Sequence, residues 1–142
     1  MLIYLDPTDS SVNLYKRLMK ERVGHRKELI VSKAVDEFSF GFLHLSRNTS
    51  NEVRGFVLCR YLEEFNDVVI DLIWSRKHTR LELMNAAEGK AREVKAGRLV
   101  LYSVREERLK QWYESLGFIK TGEIPRRRGV VRTYMMMKRL CY

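Results

Sequence analysis

The last third of the chain constrains its fold most strongly. A β-rich run, Arg98-Leu99-Val100-Leu101-Tyr102-Ser103-Val104, leads into an amphipathic segment ending Trp112-Tyr113-Glu114-Ser115-Leu116-Gly117-Phe118, and a second β-rich run follows, Thr133-Tyr134-Met135-Met136-Met137-Lys138. Ser103 and Glu106 have the spacing of a capping box, in which a hydroxyl and a carboxylate satisfy orphan amides at a helix start. The spacing predicts a helix over Arg105 to Ser115. Leu109, Trp112, Tyr113 and Leu116 recur at i, i+3, i+4 and i+7, which makes one buried stripe. Gly117 supplies the residue that tolerates a left-handed C-terminal turn.

The same reading extends over the rest of the chain. Leu2 to Leu5 is a short strand, Asp6 to Ser11 a turn with several candidate N-caps, and Val12, Tyr15, Leu18 and Met19 form the apolar face of a helix that Gly24 should stop. Leu29, Ile30, Ala34, Val35 and Phe38 fit helical spacing from Glu28 to Phe38, although Leu29-Ile30-Val31 can also begin a strand; helix is preferred. Three β-rich runs follow, Phe40 to Leu45, Val53 to Leu62 and Val68 to Trp74, separated by polar turns at Arg47 to Glu52 and Glu63 to Asp67. Thr79 and Glu82 repeat the capping-box spacing before a helix to Ala96, with Leu83, Ala87, Ala91 and Val94 on one face and Gly97 at its end. Meander strands followed by alternating helices and strands predict an α/β sandwich over a single domain, 1–142.

Trp112, Tyr113, Gly117 and Phe118 match a Tyr-x-x-x-Gly-Phe signature preceded by an aromatic residue, and Arg54-Gly55-Phe56-Val57-Leu58 is a glycine-aromatic-aliphatic strand. With the element order, these residues resemble the GNAT superfamily of acyl-CoA-dependent N-acyltransferases. The resemblance implies a mixed, mostly antiparallel central sheet flanked by helices, and transfer of an acetyl group from acetyl-CoA to an amine of a protein, peptide or small molecule. It implies Tyr113 as the acid that protonates the departing thiolate. It also implies that the backbone of Ile73, Trp74 and Ser75 holds the pantetheine arm.

Asp71 interrupts the apolar run Val68 to Trp74. An acid in a central strand is costly unless paired, protonated or facing a cavity. Two readings stay open: a general base for the amine, directly or through water, as the resemblance implies, or the partner of one of the many arginines. The family's pyrophosphate loop is Arg/Gln-x-x-Gly-x-Gly/Ala; over Arg76, Lys77, His78, Thr79, Arg80 and Leu81 the glycine positions fall on Thr79 and Leu81, and a shift of two residues, starting at His78, puts them on Leu81 and Leu83, so neither register contains a glycine. Glu82 adds a carboxylate where the phosphates would sit. Either side-chain charge replaces the backbone contacts, or the site has decayed. The usual Asn-x-x-Ala of the last helix is replaced by Glu106 and Leu109, leaving Glu106 at the position that contacts the cofactor.

The chain carries 27 Lys and Arg against 18 Asp and Glu, a formal net charge of +9. Such an excess attracts polyanions. Arg126, Arg127 and Arg128 form a cluster before Gly129, at an expected hairpin tip. The second functional reading is therefore a catalytically silent GNAT-like module contacting nucleic acid or an acidic protein through this surface. Cys59 and Cys141 form no CxxC or Cys/His pattern, so no metal is expected, and neither is placed with a base as an acyl-carrying nucleophile. The expectation is a soluble cytoplasmic protein, with transfer by direct attack in a ternary complex. A monomer or a homodimer is expected, the latter through an exposed edge strand for which Tyr134 to Met137 is the candidate.

Overall fold

The structure, a computed structural model, describes residues 1–23, 28–48, 52–76, 78–125 and 132–142. Gly24, the centre of the Arg47–Glu52 turn, Lys77 and the cluster Arg126, Arg127 and Arg128 lie outside the described residues. The elements run β1 (Leu2–Leu5), α1 (Val12–Val23), α2 (Glu28–Glu37), β2 (Phe40–Leu45), β3 (Val53–Leu62), β4 (Asp67–Ser75), α3 (Arg80–Glu93), β5 (Arg98–Val104), α4 (Glu107–Ser115), β6 (Ile119–Pro125) and β7 (Arg132–Arg139). This is an α/β fold whose seven strands form a mostly antiparallel sheet. The chain divides into two compact units, one of Met1–Arg60 with Ile70–Lys90, the other of Tyr61–Val69 with Ala91–Tyr142.

In the first unit β1 pairs with β2 and β2 with β3, both antiparallel, with an irregularity at His44/Leu45. Period-2 alternation explains most of β2, where Gly41, Leu43 and Leu45 are buried on one face, while Phe40 at its start is buried on the other. β3 is buried on both sides through Phe56, Val57, Leu58 and Cys59. The core joins Leu5, Val12, Met19, Val35, Phe38, Leu43, Phe56 and Leu58, with Tyr15, Leu18, Leu72 and Trp74 packed against it. Ala34, Val35 and Phe38 are buried as helical spacing requires, and 28–37 is helix, not strand. Burial pushes the Cys59 thiol well above its ordinary pKa, with the Asp71 charge adding to the effect, so this sulfur is inert at neutral pH.

In the second unit β7 lies between β5 and β6, antiparallel to both. The Tyr134–Met137 run is therefore paired on its two sides and is no edge strand. Tyr134 and Met136 are buried, Met136 completely, so hydrophobic burial accounts for much of this run. The buried Asp67 carboxylate receives two hydrogen bonds from Arg98, at 2.8 and 2.6 Å, which clips the start of β4 to the start of β5.

Both capping boxes expected from spacing are replaced. Ser103 remains in β5, so α4 begins at Glu107, not Arg105, with Glu106 as an extended N-cap that makes no side-chain capping bond. The Thr79 hydroxyl donates to the carbonyls of Arg76 (2.7 Å) and Arg54 (3.2 Å), while the Glu82 carboxylate meets His44. α3 ends at Glu93 instead of Ala96. The Lys95 N–H donates to the Arg92 carbonyl and the Ala96 N–H to the Ala91 carbonyl, a Schellman closure with Lys95, at φ 61°, in the left-handed position, two residues before the Gly97 expected to end the helix.

Candidate active site

The Tyr-x-x-x-Gly-Phe signature has a direct structural meaning. The Gly117 N–H donates to the Glu114 carbonyl and the Phe118 N–H to the Tyr113 carbonyl. This is a Schellman motif in which Gly117, at φ 97°, takes the left-handed position, and Tyr113 and Phe118 are the two residues whose side chains normally meet across it. They do meet, edge to face, with ring centroids 5.6 Å apart, and Trp112 packs on Tyr113 at 5.1 Å. Tyr113 is 2% exposed. The motif holds one phenol at a fixed place at the end of α4. Leu109, Trp112 and Leu116 are partly buried on the same stripe.

The other sequence-selected residues gather in the first unit, around the end of β4 and the start of α3. Trp74 stacks on Phe56 at 5.9 Å. Gly55 lets this strand end and Leu83 of α3 come close: a Cβ there would stand 3.0 Å from the Trp74 carbonyl oxygen and 3.2 Å from the Ser75 Cα. Beyond Ser75 the Arg76 N–H bonds to the Arg54 carbonyl at 2.8 Å, and the buried Thr79 hydroxyl ties the turn to that same carbonyl. His78 turns the chain at φ 76°. The left-handed step that glycine usually supplies is thus present without a glycine, on one of the residue types that tolerates it best. α3 then opens at Arg80, with Leu81 half exposed in its first turn.

Charge around this turn is partly committed. Arg76 is paired with Glu52. Glu82 is drawn to His44 Nε2 at 3.1 Å, so its carboxylate has a partner other than the first amides of α3. His44 Nδ1 is buried without a partner among the described residues. Sequence reasoning missed His44, whose partner Glu82 lies far along the chain on α3. Glu106 stands in the second unit, exposed, as the N-cap of α4.

Asp71 is held by Arg60, whose Nε and Nη2 reach its two carboxylate oxygens, the latter pair at 3.0 Å. The arginine partner anticipated for Asp71 is therefore its neighbour on β3. Each carboxylate oxygen still has a further lone pair, so pairing leaves room to accept another hydrogen bond. The two residues line a cavity of about 220 Å³ together with Lys33, Ala34 and Glu37 of α2. Asp71 and Tyr113 stand in different units.

The seven-stranded, mostly antiparallel sheet and four helices that the described residues form, in this order, match the fold of the GNAT N-acetyltransferases. The ribosomal-protein-S18-alanine N-acetyltransferase from Escherichia coli superimposes with a TM-score of 0.72 over 100% of this chain and 96% of its own, at 13% identity. The aminoglycoside 6'-N-acetyltransferase from Enterococcus faecium gives 0.71 over 98% and 96%, also at 13% identity, and an aminoglycoside 6'-N-acetyltransferase complexed with coenzyme A aligns equally well. Nourseothricin acetyltransferase gives 0.60 at 20% identity over 70% of this chain, which spans 64% of that protein's length. No protein-family model and no curated protein matches the chain. Among the described residues no helix is long and apolar enough to cross a membrane, and no three His, Cys, Asp or Glu gather as a metal site would require.

Proposed function

We propose that the protein is an N-acetyltransferase that moves an acetyl group from acetyl-CoA to an amine by direct attack. Support comes from full-length agreement of the fold with acetyltransferases, one of them complexed with coenzyme A. The observation that carries the reading is the Schellman-locked Tyr113, a buried phenol held by backbone geometry at the signature position. The first turn of α3 suits a pyrophosphate: helix N-terminal amides favour anions, His78 maintains the turn, and His44 engages the one carboxylate that would compete. Arg76, Lys77 and Arg80 add positive charge, and the strand end Ile73, Trp74 and Ser75 offers backbone groups to the pantetheine arm. Glu106 stands at the start of α4 as a further polar contact for the cofactor.

In the reaction the amine nitrogen forms a bond to the thioester carbonyl carbon and the carbon–sulfur bond breaks. An alkylammonium, with a pKa of about 10.4, must lose a proton before attack. Asp71, kept in orientation by Arg60, accepts that proton directly or through water. Tyr113 gives its phenolic proton to the leaving thiolate, and the second proton, which the nitrogen sheds on becoming an amide, restores the phenol through solvent. Both steps are acid–base catalysis, worth roughly a hundredfold to ten-thousandfold each.

The test pairs two measurements on the full chain: calorimetric titration with acetyl-CoA, and turnover against a panel of primary amines read as thiol release. Tyr113→Phe keeps the ring packing and removes only the hydroxyl. Binding should persist at micromolar affinity while turnover falls by about a hundredfold or more. Wild-type turnover in that variant would refute the acid assignment. Absence of acetyl-CoA binding at millimolar concentration would refute the transferase reading and favour a silent scaffold that contacts polyanions.

A further inference from the structure

The cavity beside Asp71 carries charges that folding does not explain. Glu37 is the last residue of α2, where the helix dipole disfavours a carboxylate, and the last turn contains no basic residue. Its neighbour Asp36 is compensated by Lys20 at 3.3 Å. Glu37 has no such partner among the described residues, and neither does Lys33, although a Lys and a Glu four positions apart on a helix commonly pair. Both line the cavity, whose other charged walls, Arg60 and Asp71, already satisfy one another.

We infer that this cavity binds a small zwitterion, a primary ammonium at Glu37 beside Asp71 and a carboxylate at Lys33 beside Arg60. Unpaired charges of both signs one helical turn apart complement a ligand carrying the opposite pair. Four helical positions rise about 6 Å, a separation matched by a short ω-amino acid better than by an α-amino acid, whose charges are adjacent. That this zwitterion is the acetyl acceptor rests on the function proposed above; that it binds does not.

The probe is 5-aminopentanoate, titrated calorimetrically into the full chain without acetyl-CoA, beside pentylamine and pentanoate, which each keep one charge. The zwitterion should bind at least about tenfold more tightly than either. Glu37→Gln and Lys33→Gln alter exposed side chains and should leave the melting temperature in place while each weakens 5-aminopentanoate by about tenfold. Equal binding of pentylamine and 5-aminopentanoate, indifference to either substitution, or no binding at all would overturn the inference. A separate titration with acetyl-CoA distinguishes the two claims. Cofactor binding without zwitterion binding sinks only the inference; zwitterion binding that depends on Glu37 and Lys33, without cofactor binding, sinks only the transferase reading.

Discussion

Replacing Gly55 with alanine tests whether the end of β4 forms part of the cofactor site. The new Cβ would lie 2.9 Å from Leu83 Cδ1, 3.0 Å from the Trp74 carbonyl oxygen and 3.2 Å from the Ser75 Cα. The leucine methyl can move aside, but the other two atoms are backbone, so β4 must shift by a few tenths of an ångström. Overpacking of this kind costs about 1–3 kcal/mol, offset by about 0.4–1 kcal/mol because alanine restricts the unfolded chain more than glycine does. The expected net loss is about 1–2 kcal/mol, a fall in Tm of roughly 3–7 °C for a chain of this size. Thermal and urea unfolding measure the stability, and titration with acetyl-CoA well below the melt measures the site. Gly41→Ala is the matched control, since its Cβ would meet the Val57 carbonyl oxygen at 2.7 Å and Leu58 Cδ2 at 2.8 Å, a conflict with β3 and not with β4. Both variants should be destabilised, and only Gly55→Ala should bind acetyl-CoA more weakly. A Gly55→Ala protein as stable as the wild type, or equal loss of cofactor affinity in both variants, would refute the reasoning.

His78→Gly should stabilise the protein by about 1 kcal/mol, because an L-residue at φ 76° carries a steric cost that glycine lacks. Affinity for acetyl-CoA should hold if backbone amides bind the pyrophosphate; a marked loss would assign that role to the imidazole. A pH titration of stability tests Tyr134, whose hydroxyl donates to Glu107 at 2.7 Å. That hydrogen bond holds the Glu107 carboxyl below its ordinary range and raises the tyrosine. The glutamate's contribution is present above its unfolded pKa and lost as pH falls through the lower folded value; the tyrosine's is present below pH 10 and lost as pH rises through its higher folded value. Chemical unfolding of Tyr134→Phe against wild type should therefore show a stability gap at neutral pH that closes at both extremes. A gap unchanged at acid pH would refute the link to Glu107.

The part of the candidate site legible in the sequence is the part made by local geometry. Tyr113, Gly117 and Phe118 could be read directly because a Schellman closure spans only six residues, and its left-handed position favours glycine. The helical stripes and alternating strands were legible for the same reason, since side-chain direction along a helix or strand repeats with a short period. Asp71 stood out as a charge in an apolar run, but its partner Arg60, eleven residues earlier, is fixed by the pairing of β3 with β4.

Polar side chains near helix starts behaved differently. Capping spacing marked Ser103 and Thr79, yet Ser103 lies within β5 and the Thr79 hydroxyl turns to the Arg76 and Arg54 carbonyls. Glu82 went to His44, thirty-eight positions away in the chain, and Lys95 closed α3 where Gly97 was the expected residue. A donor or acceptor takes whichever partner the packed chain brings within about 3 Å, and residues distant in sequence supply many of those partners. Backbone sterics and hydrophobic period, which act over a few residues, were determined by the sequence alone. The partners of Asp71 and Glu82, and the charged cavity that Lys33 and Glu37 share with Arg60 and Asp71, were decided only once long-range pairing had placed helix against strand.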